Sequence, residues 1–198
     1  MTRKSLFIAL LMVLSVVSAS AQQKSLHQLQ QDFVDLRFGM FIHFNIPTFA
    51  PDDWPDPDLP ASVFNPKKLD CTQWAKAAKS ANMSYGCLTT KHHSGFCIWD
   101  TKTTDYSVMH TPYGRDVLKM LAGACQKHGM RLSIYYSNPD WDYKYGYNSH
   151  SSHQMPEKGD AENIEKLKEF QRNQIRELLT NYGKIYTFFW DIPTNISD

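Results

Sequence analysis

Two adjacent histidines, His92 and His93, stand behind a lysine at the end of an apolar run, Tyr85-Gly86-Cys87-Leu88, and two threonines. Three other apolar runs end in the same way. Phe38 to Phe44 carries His43, Arg131-Leu132-Ser133-Ile134 leads into Tyr135-Tyr136, and Ile185 to Trp190 leads into Asp191. Each type can do chemistry, and the spacing narrows which. On a strand, neighbouring side chains point to opposite faces, so His92 and His93 share one metal ion only if the strand has already ended. The spaced patterns of metal hydrolases, His-x-His and HExxH, are absent. So is the GxSxG elbow of a Ser-His-Asp hydrolase. A sugar fits better. Its hydroxyls both donate and accept, as neutral histidine and tyrosine do, and aromatic rings cover its C–H face. A lone aspartate at a strand end is placed as a glycosidic nucleophile must be. The residues call for no metal and no cofactor.

The elements that must position these groups alternate along the chain. The strand 38–44 is followed by Trp74, Ala77, Ala78 and Ala81 at helical spacing, with Asp70 or Thr72 as the cap. After the second strand, 85–90, Val117, Leu118, Leu121, Ala124 and Cys125 predict a helix stopped at Gly129. The third strand, 131–136, precedes a longer helix through Ile164, Leu167, Phe170, Ile175 and Leu178, stopped at Gly183. The fourth strand is 185–190. This β-α-β-α-β-α-β order, with nearly continuous apolar strands, predicts an α/β fold with a parallel sheet, either doubly wound or a (β/α)8 barrel. In both, ligands bind at the carboxyl ends of the strands, where the reactive residues lie. No GxGxxG or GxxxxGK[ST] follows a strand, which removes support for a nucleotide site. Two long connections leave from the same ends. Residues 45–66 are proline-rich and hold Asp52-Asp53-Trp54; residues 138–160 hold Trp141, Tyr143, Tyr145, Tyr147, His150 and His153. Connections of this length are usually functional or disordered, and the aromatic content of the second argues for a packed, ligand-facing loop.

A net charge of +1 gives no electrostatic case for nucleic acid or anionic lipid. Arg3-Lys4, the apolar run Leu6 to Val17 and Ala19-Ser20-Ala21 read as a secretory signal, residues 1–21, so the mature chain is expected to be exported and to have no membrane segment. Four cysteines without CxxC spacing are too few for a disulfide scaffold, and Cys87 and Cys125 read as core residues.

RFGMFIHFNIPTF, the KHHSGFCIWDT run, GRDV, the IYYSNPDW run and ELLTNYGKI…WD together resemble the N-terminal half of an α-L-fucosidase of glycoside hydrolase family 29. The resemblance runs from about Leu36 to Asp191, and the histidine run is its most specific part. It implies a (β/α)8-type barrel and removal of terminal α-L-fucose with retention. Carried over by position, His43, His92, His93 and Tyr136 match fucose-binding residues. Asp53-Trp54 resembles the family's Glu-Trp pair, with Asp for Glu. Asp191 falls at the nucleophile, although the usual glycine after it is here Ile192. Four strands are half of such a barrel, which takes about 250 residues. Residues 22–198 are therefore expected to hold the first four βα units, with the acid/base carboxylate and the C-terminal domain outside them. The expected partner is a fucosylated oligosaccharide or glycoconjugate, and the isolated chain is expected to be weak or inactive. The other reading is a non-catalytic fucose-binding protein, with the pocket kept and the chemistry lost.

Overall fold

The computed structural model describes residues 23–55, 58–143, 145–146 and 161–192. The signal segment 1–21, and Tyr147, His150 and His153 of the aromatic connection, lie outside them. The chain divides into two units, residues 1–35 and 36–198. In the first, helix α1 (Leu26–Val34) opens with a capping box in which Ser25 and Gln28 exchange hydrogen bonds, and none of its residues is buried. The sequence expectations above begin after residue 30 and miss it; the Ser-x-x-Gln signature was the available signal.

The second unit carries the alternation. Strand β1 (Gly39–Ile42) is followed by helix α2 (Cys71–Ser80) and β2 (Tyr85–Lys91), then α3 (Val117–Lys127), β3 (Arg131–Ser137), α4 (Ala161–Asn181) and β4 (Ile185–Asp191). Asp70 caps α2 by accepting from the N–H groups of Thr72 and Gln73. Beyond α3, the left-handed turn falls on Gly129 (φ 64°), a conformation that a Cβ disfavours. The four strands pair in parallel in the order β1-β2-β3-β4. A doubly wound sheet reverses its strand order at a switch point; this one does not among its four described strands.

The helices cover one face. Leu88, Ile134 and Tyr136 from the sheet pack with Ala75, Ala78, Leu118, Leu121 and Leu178 in one buried cluster. The opposite face keeps Phe41 and Phe189 about half exposed, stacked edge-on at 5.6 Å. All four cysteines are buried free thiols, and burial pushes the Cys87 thiol up to about 12.

Two register shifts decide which side chains reach which face. Along β2, Leu88 pairs with Ile134 and Thr89 with Tyr135, but Lys91, not Thr90, pairs with Tyr136. The extra residue, Thr90, donates its hydroxyl to the Tyr135 carbonyl at 2.6 Å. Plain alternation would send Lys91 to the open face; the bulge turns it toward the helices. Along β4, Ile185 pairs with Leu132 but Phe188 pairs with Ile134, again one residue out of step. That shift returns Phe189 and Asp191 to the open face, with Phe188 and Trp190 on the helix side beside Tyr136.

Candidate functional site at the carboxyl ends of the strands

The strand ends gather His43, His92, His93, Tyr135 and Asp191. β2 stops at Lys91, so His92 and His93 lie in a turn, and the alternation that would have parted them no longer applies. Their ring centroids are 4.2 Å apart, and His43 sits edge-on to His92 at 4.9 Å. Tyr135 stacks near His92 at 6.0 Å and donates its hydroxyl to Asp191 Oδ2 at 2.5 Å. Asp191 Oδ1 accepts from the N–H of Ile192 at 3.0 Å, and Oδ2 lies 3.8 Å from His93 Nε2. The carboxylate is thus held at both oxygens while its side chain stays 30% exposed. Among the described residues, the hydrogen bonds and ion pair of the Asp191 side chain go to Tyr135, Ile192 and His93, and none involves a second carboxylate.

His92 and His93 are kept neutral. Burial, then the neighbouring His93 and His43, lower the His92 pKa to about 3. Burial also lowers that of His93; Asp191 opposes it, while Lys91 and His43 add to it. The tautomer of His93 follows from its neighbour. Ser137 donates its own proton to the Pro139 carbonyl (2.9 Å), so its oxygen accepts from His93 Nδ1 at 2.6 Å. That leaves Nε2, on the Asp191 side, as an acceptor. His92 Nδ1 is buried without a hydrogen-bond partner. Burial, followed by the bond to Asp191, raises the Tyr135 pKa, so the phenol stays a donor.

Tyr136 is a correction. The sequence reading placed it at the sugar, but it is fully buried on the helix side. Its hydroxyl accepts from Lys91 Nζ at 3.0 Å and donates to Gln174 Oε1 on α4 at 2.7 Å. A strand gives each face only every second residue, so it is Tyr135 that faces the histidines. The YY pair signalled a tyrosine at this end but not which of the two. Asp53 and Trp54 are both exposed, and the Trp54 N–H donates to Asp52 Oδ1. Among the described residues no ring contact joins Trp54 to the histidines. The aromatic connection does supply one: Trp141 packs on His93 at 5.6 Å.

The turn carrying the histidines is anchored from three sides. Asn45, just past β1, donates to the carbonyls of Thr89, Thr90 and Phe96 at 3.3–3.4 Å. The Trp141 N–H donates to the His93 carbonyl at 2.9 Å. Gly95 (φ 87°) lies where a Cβ would come within 2.6 Å of Asp140 Oδ1, so the backbone closes on that carboxylate only as glycine.

Comparison with known proteins identifies the family. The Alpha-L-fucosidase family model matches residues 53–197. Alpha-L-fucosidase 1 of Arabidopsis thaliana is 36% identical over 155 residues, covering 77% of this chain and 28% of its own. Alpha-L-fucosidase isoenzyme 1 from Paenibacillus thiaminolyticus superposes with a TM-score of 0.71 at 36% identity, covering 83% of this chain and 43% of that one. A glycoside hydrolase 29 α-L-fucosidase from Bacteroides thetaiotaomicron, solved as a trapped covalent intermediate, superposes with a TM-score of 0.71 at 33% identity over 87% of this chain and 43% of that one. The chain spans less than half the length of each of these three.

Proposed function

This chain belongs to the alpha-L-fucosidase family, and on that premise we propose that it forms the first four βα units of the (β/α)8-type barrel of an exported, retaining α-L-fucosidase. Asp191 is its nucleophile. The observation that carries the reading is the convergence of His43, His92, His93 and Tyr135 around the Asp191 carboxylate. The neutral imidazoles of His92 and His93 and the Tyr135 phenol match the hydroxyls of a fucose ring. The Asp191 carboxylate then attacks the anomeric carbon. A carbon–oxygen ester bond forms as the glycosidic bond breaks, the departing oxygen takes a proton, and water later hydrolyses the ester with net retention. The trapped covalent intermediate of the Bacteroides relative supports this two-step course.

The proton for the departing oxygen comes from a second carboxyl group, about 5–5.5 Å from the first in retaining enzymes. The family resemblance places that group downstream of this sequence. The 198-residue chain by itself is therefore a weak or inactive hydrolase on natural fucosyl-oligosaccharides. An aryl fucoside, whose phenolate leaves without acid help, escapes part of the loss of about 10²–10⁴ in rate. Export rests on the Arg3-Lys4, Leu6–Val17 and Ala19-Ser20-Ala21 pattern. The test is to assay the mature chain on a nitrophenyl α-L-fucoside and on a fucosylated oligosaccharide, beside an Asp191→Ala control. Slow aryl turnover that the control lacks supports the reading. L-Fucose binding with no turnover of either substrate supports the non-catalytic alternative instead.

A further inference from the structure

A lysine with no exposed surface, next in sequence to His92, requires an account. Lys91 Nζ donates to Asp140 Oδ2 at 2.7 Å and to the Tyr136 hydroxyl at 3.0 Å, and it lies 4.3 Å above the Tyr136 ring. Its partner carboxylate is almost as closed, at 2% exposed. We propose that the Lys91–Asp140 ion pair is a positioning clamp for the two histidines: it fixes the segment after β3 against the turn after β2, and so sets where His92 and His93 present their ring nitrogens. The proposal rests on the reading of that pair as sugar-binding.

The connections run through adjacent residues. Lys91 precedes His92. Asp140 precedes Trp141, whose N–H holds the His93 carbonyl and whose ring packs on the His93 ring. Asp140 Oδ1 accepts from the Tyr143 N–H at 2.9 Å, so both carboxylate oxygens are committed, and Gly95 closes over the same group. Burial disfavours the charge on Lys91, but Asp140 foremost, with Tyr136, outweighs it and holds the lysine pKa above its ordinary value. If only volume mattered, two apolar side chains would fill this space as well or better. What they would not supply is a fixed direction. Lys91 also bears on His93 electrostatically. The charged and titratable groups facing His93 are Asp191 from β4, Lys91 at the end of β2, and His43 and His92; β3 offers the uncharged Ser137. Of these, Lys91 and His43 favour the neutral ring against Asp191.

The experiment uses the full chain with Lys91→Met, Asp140→Leu and the double variant, read by thermal melting, by ¹⁵N NMR of the imidazoles and by L-fucose affinity. If the clamp acts by position, the double variant melts above either single variant, because no lone buried charge remains. Its His93 nevertheless loses the Nδ1–H signature and titrates at higher pH than in the wild type, and L-fucose affinity falls at least tenfold. A double variant with wild-type imidazole signals and affinity would reduce the pair to packing and overturn the proposal. Should the double variant not fold, Asp140→Asn, which keeps the volume and the Tyr143 contact, is read by the same loss of the Nδ1–H signature and the same fall in L-fucose affinity. A wild-type chain that does not bind L-fucose would count against the sugar reading alone; the imidazole spectra would still decide the clamp.

Discussion

Tyr135 and Tyr136 are neighbours on β3 and serve two regions with opposite character. On the helix side, Tyr136, Lys91, Asp140 and Gln174 form a closed network in which each polar group has a partner. On the open side, Tyr135, His92, His93 and Asp191 are also packed together, yet one histidine nitrogen has no partner and the carboxylate keeps solvent access. Charged and aromatic residues occur in both. What separates them is access: a fully paired buried group specifies structure, and a carboxylate that keeps solvent access can meet a ligand.

The largest effect expected from this contrast is on stability. Lys91→Met leaves Asp140 buried without its cation, and removing one member of a buried pair costs about 3–5 kcal/mol. Denaturant melts of the chain check this, with a loss below about 1 kcal/mol arguing that the pair is solvated in solution. Acid provides the next test. His92 has a folded pKa near 3 against an unfolded value near 6.5, so between those limits the unfolded chain binds the additional proton. Stability should therefore be full above pH 6.5 and fall as pH drops, by up to about 1.4 kcal/mol per pH unit. In a His92→Gln variant that slope should flatten; an unchanged slope would mean another group carries it.

The two tyrosines break the comparison most directly by substitution. Tyr136→Phe removes a hydroxyl from a closed network and should cost about 1–3 kcal/mol of stability by stranding its partners. Tyr135→Phe should change stability less, and instead weaken turnover or fucose binding by freeing Asp191. The smallest effect is in sugar choice. Under the fucose reading, a buried C6 methyl contributes about 0.8 kcal/mol, so L-fucose should bind several-fold more tightly than an analogue hydroxylated at C6. Calorimetry showing equal affinities would contradict burial of that methyl.

Much of this was legible in the sequence, because it depends on local pattern. Apolar periodicity, the Asp70 cap and the glycine stops located each described strand and α-helix after residue 36 to within a few residues, but not the short 3-10 turns at Ile46–Phe49, Ala61–Val63 and Val108–His110. The polar strand ends likewise pointed to one edge. What was not legible depends on register. The bulge at Thr90 turns Lys91 away from the open face, and the shift before Phe188 brings Asp191 onto it. Strict alternation from the start of either strand predicts the reverse. The choice between Tyr135 and Tyr136 fails for the same reason, since a pair of identical residues carries no face information. The ends of the strands also matter: His92 and His93 meet only because β2 has stopped at Lys91, a boundary set by contacts to Asn45 and Trp141 that are distant in sequence.

The central proposal is that Asp191 is a nucleophile already in place at the carboxyl end of β4. A 2-fluoro-fucosyl fluoride tests it with least interference, because fluoride departs without acid help. The mature chain, incubated with that reagent and digested, should yield a covalent fucosyl adduct on the peptide containing Asp191, and the Asp191→Ala chain should yield none. An intact, folded chain that acquires no adduct, or acquires one on another carboxylate, would contradict the assignment.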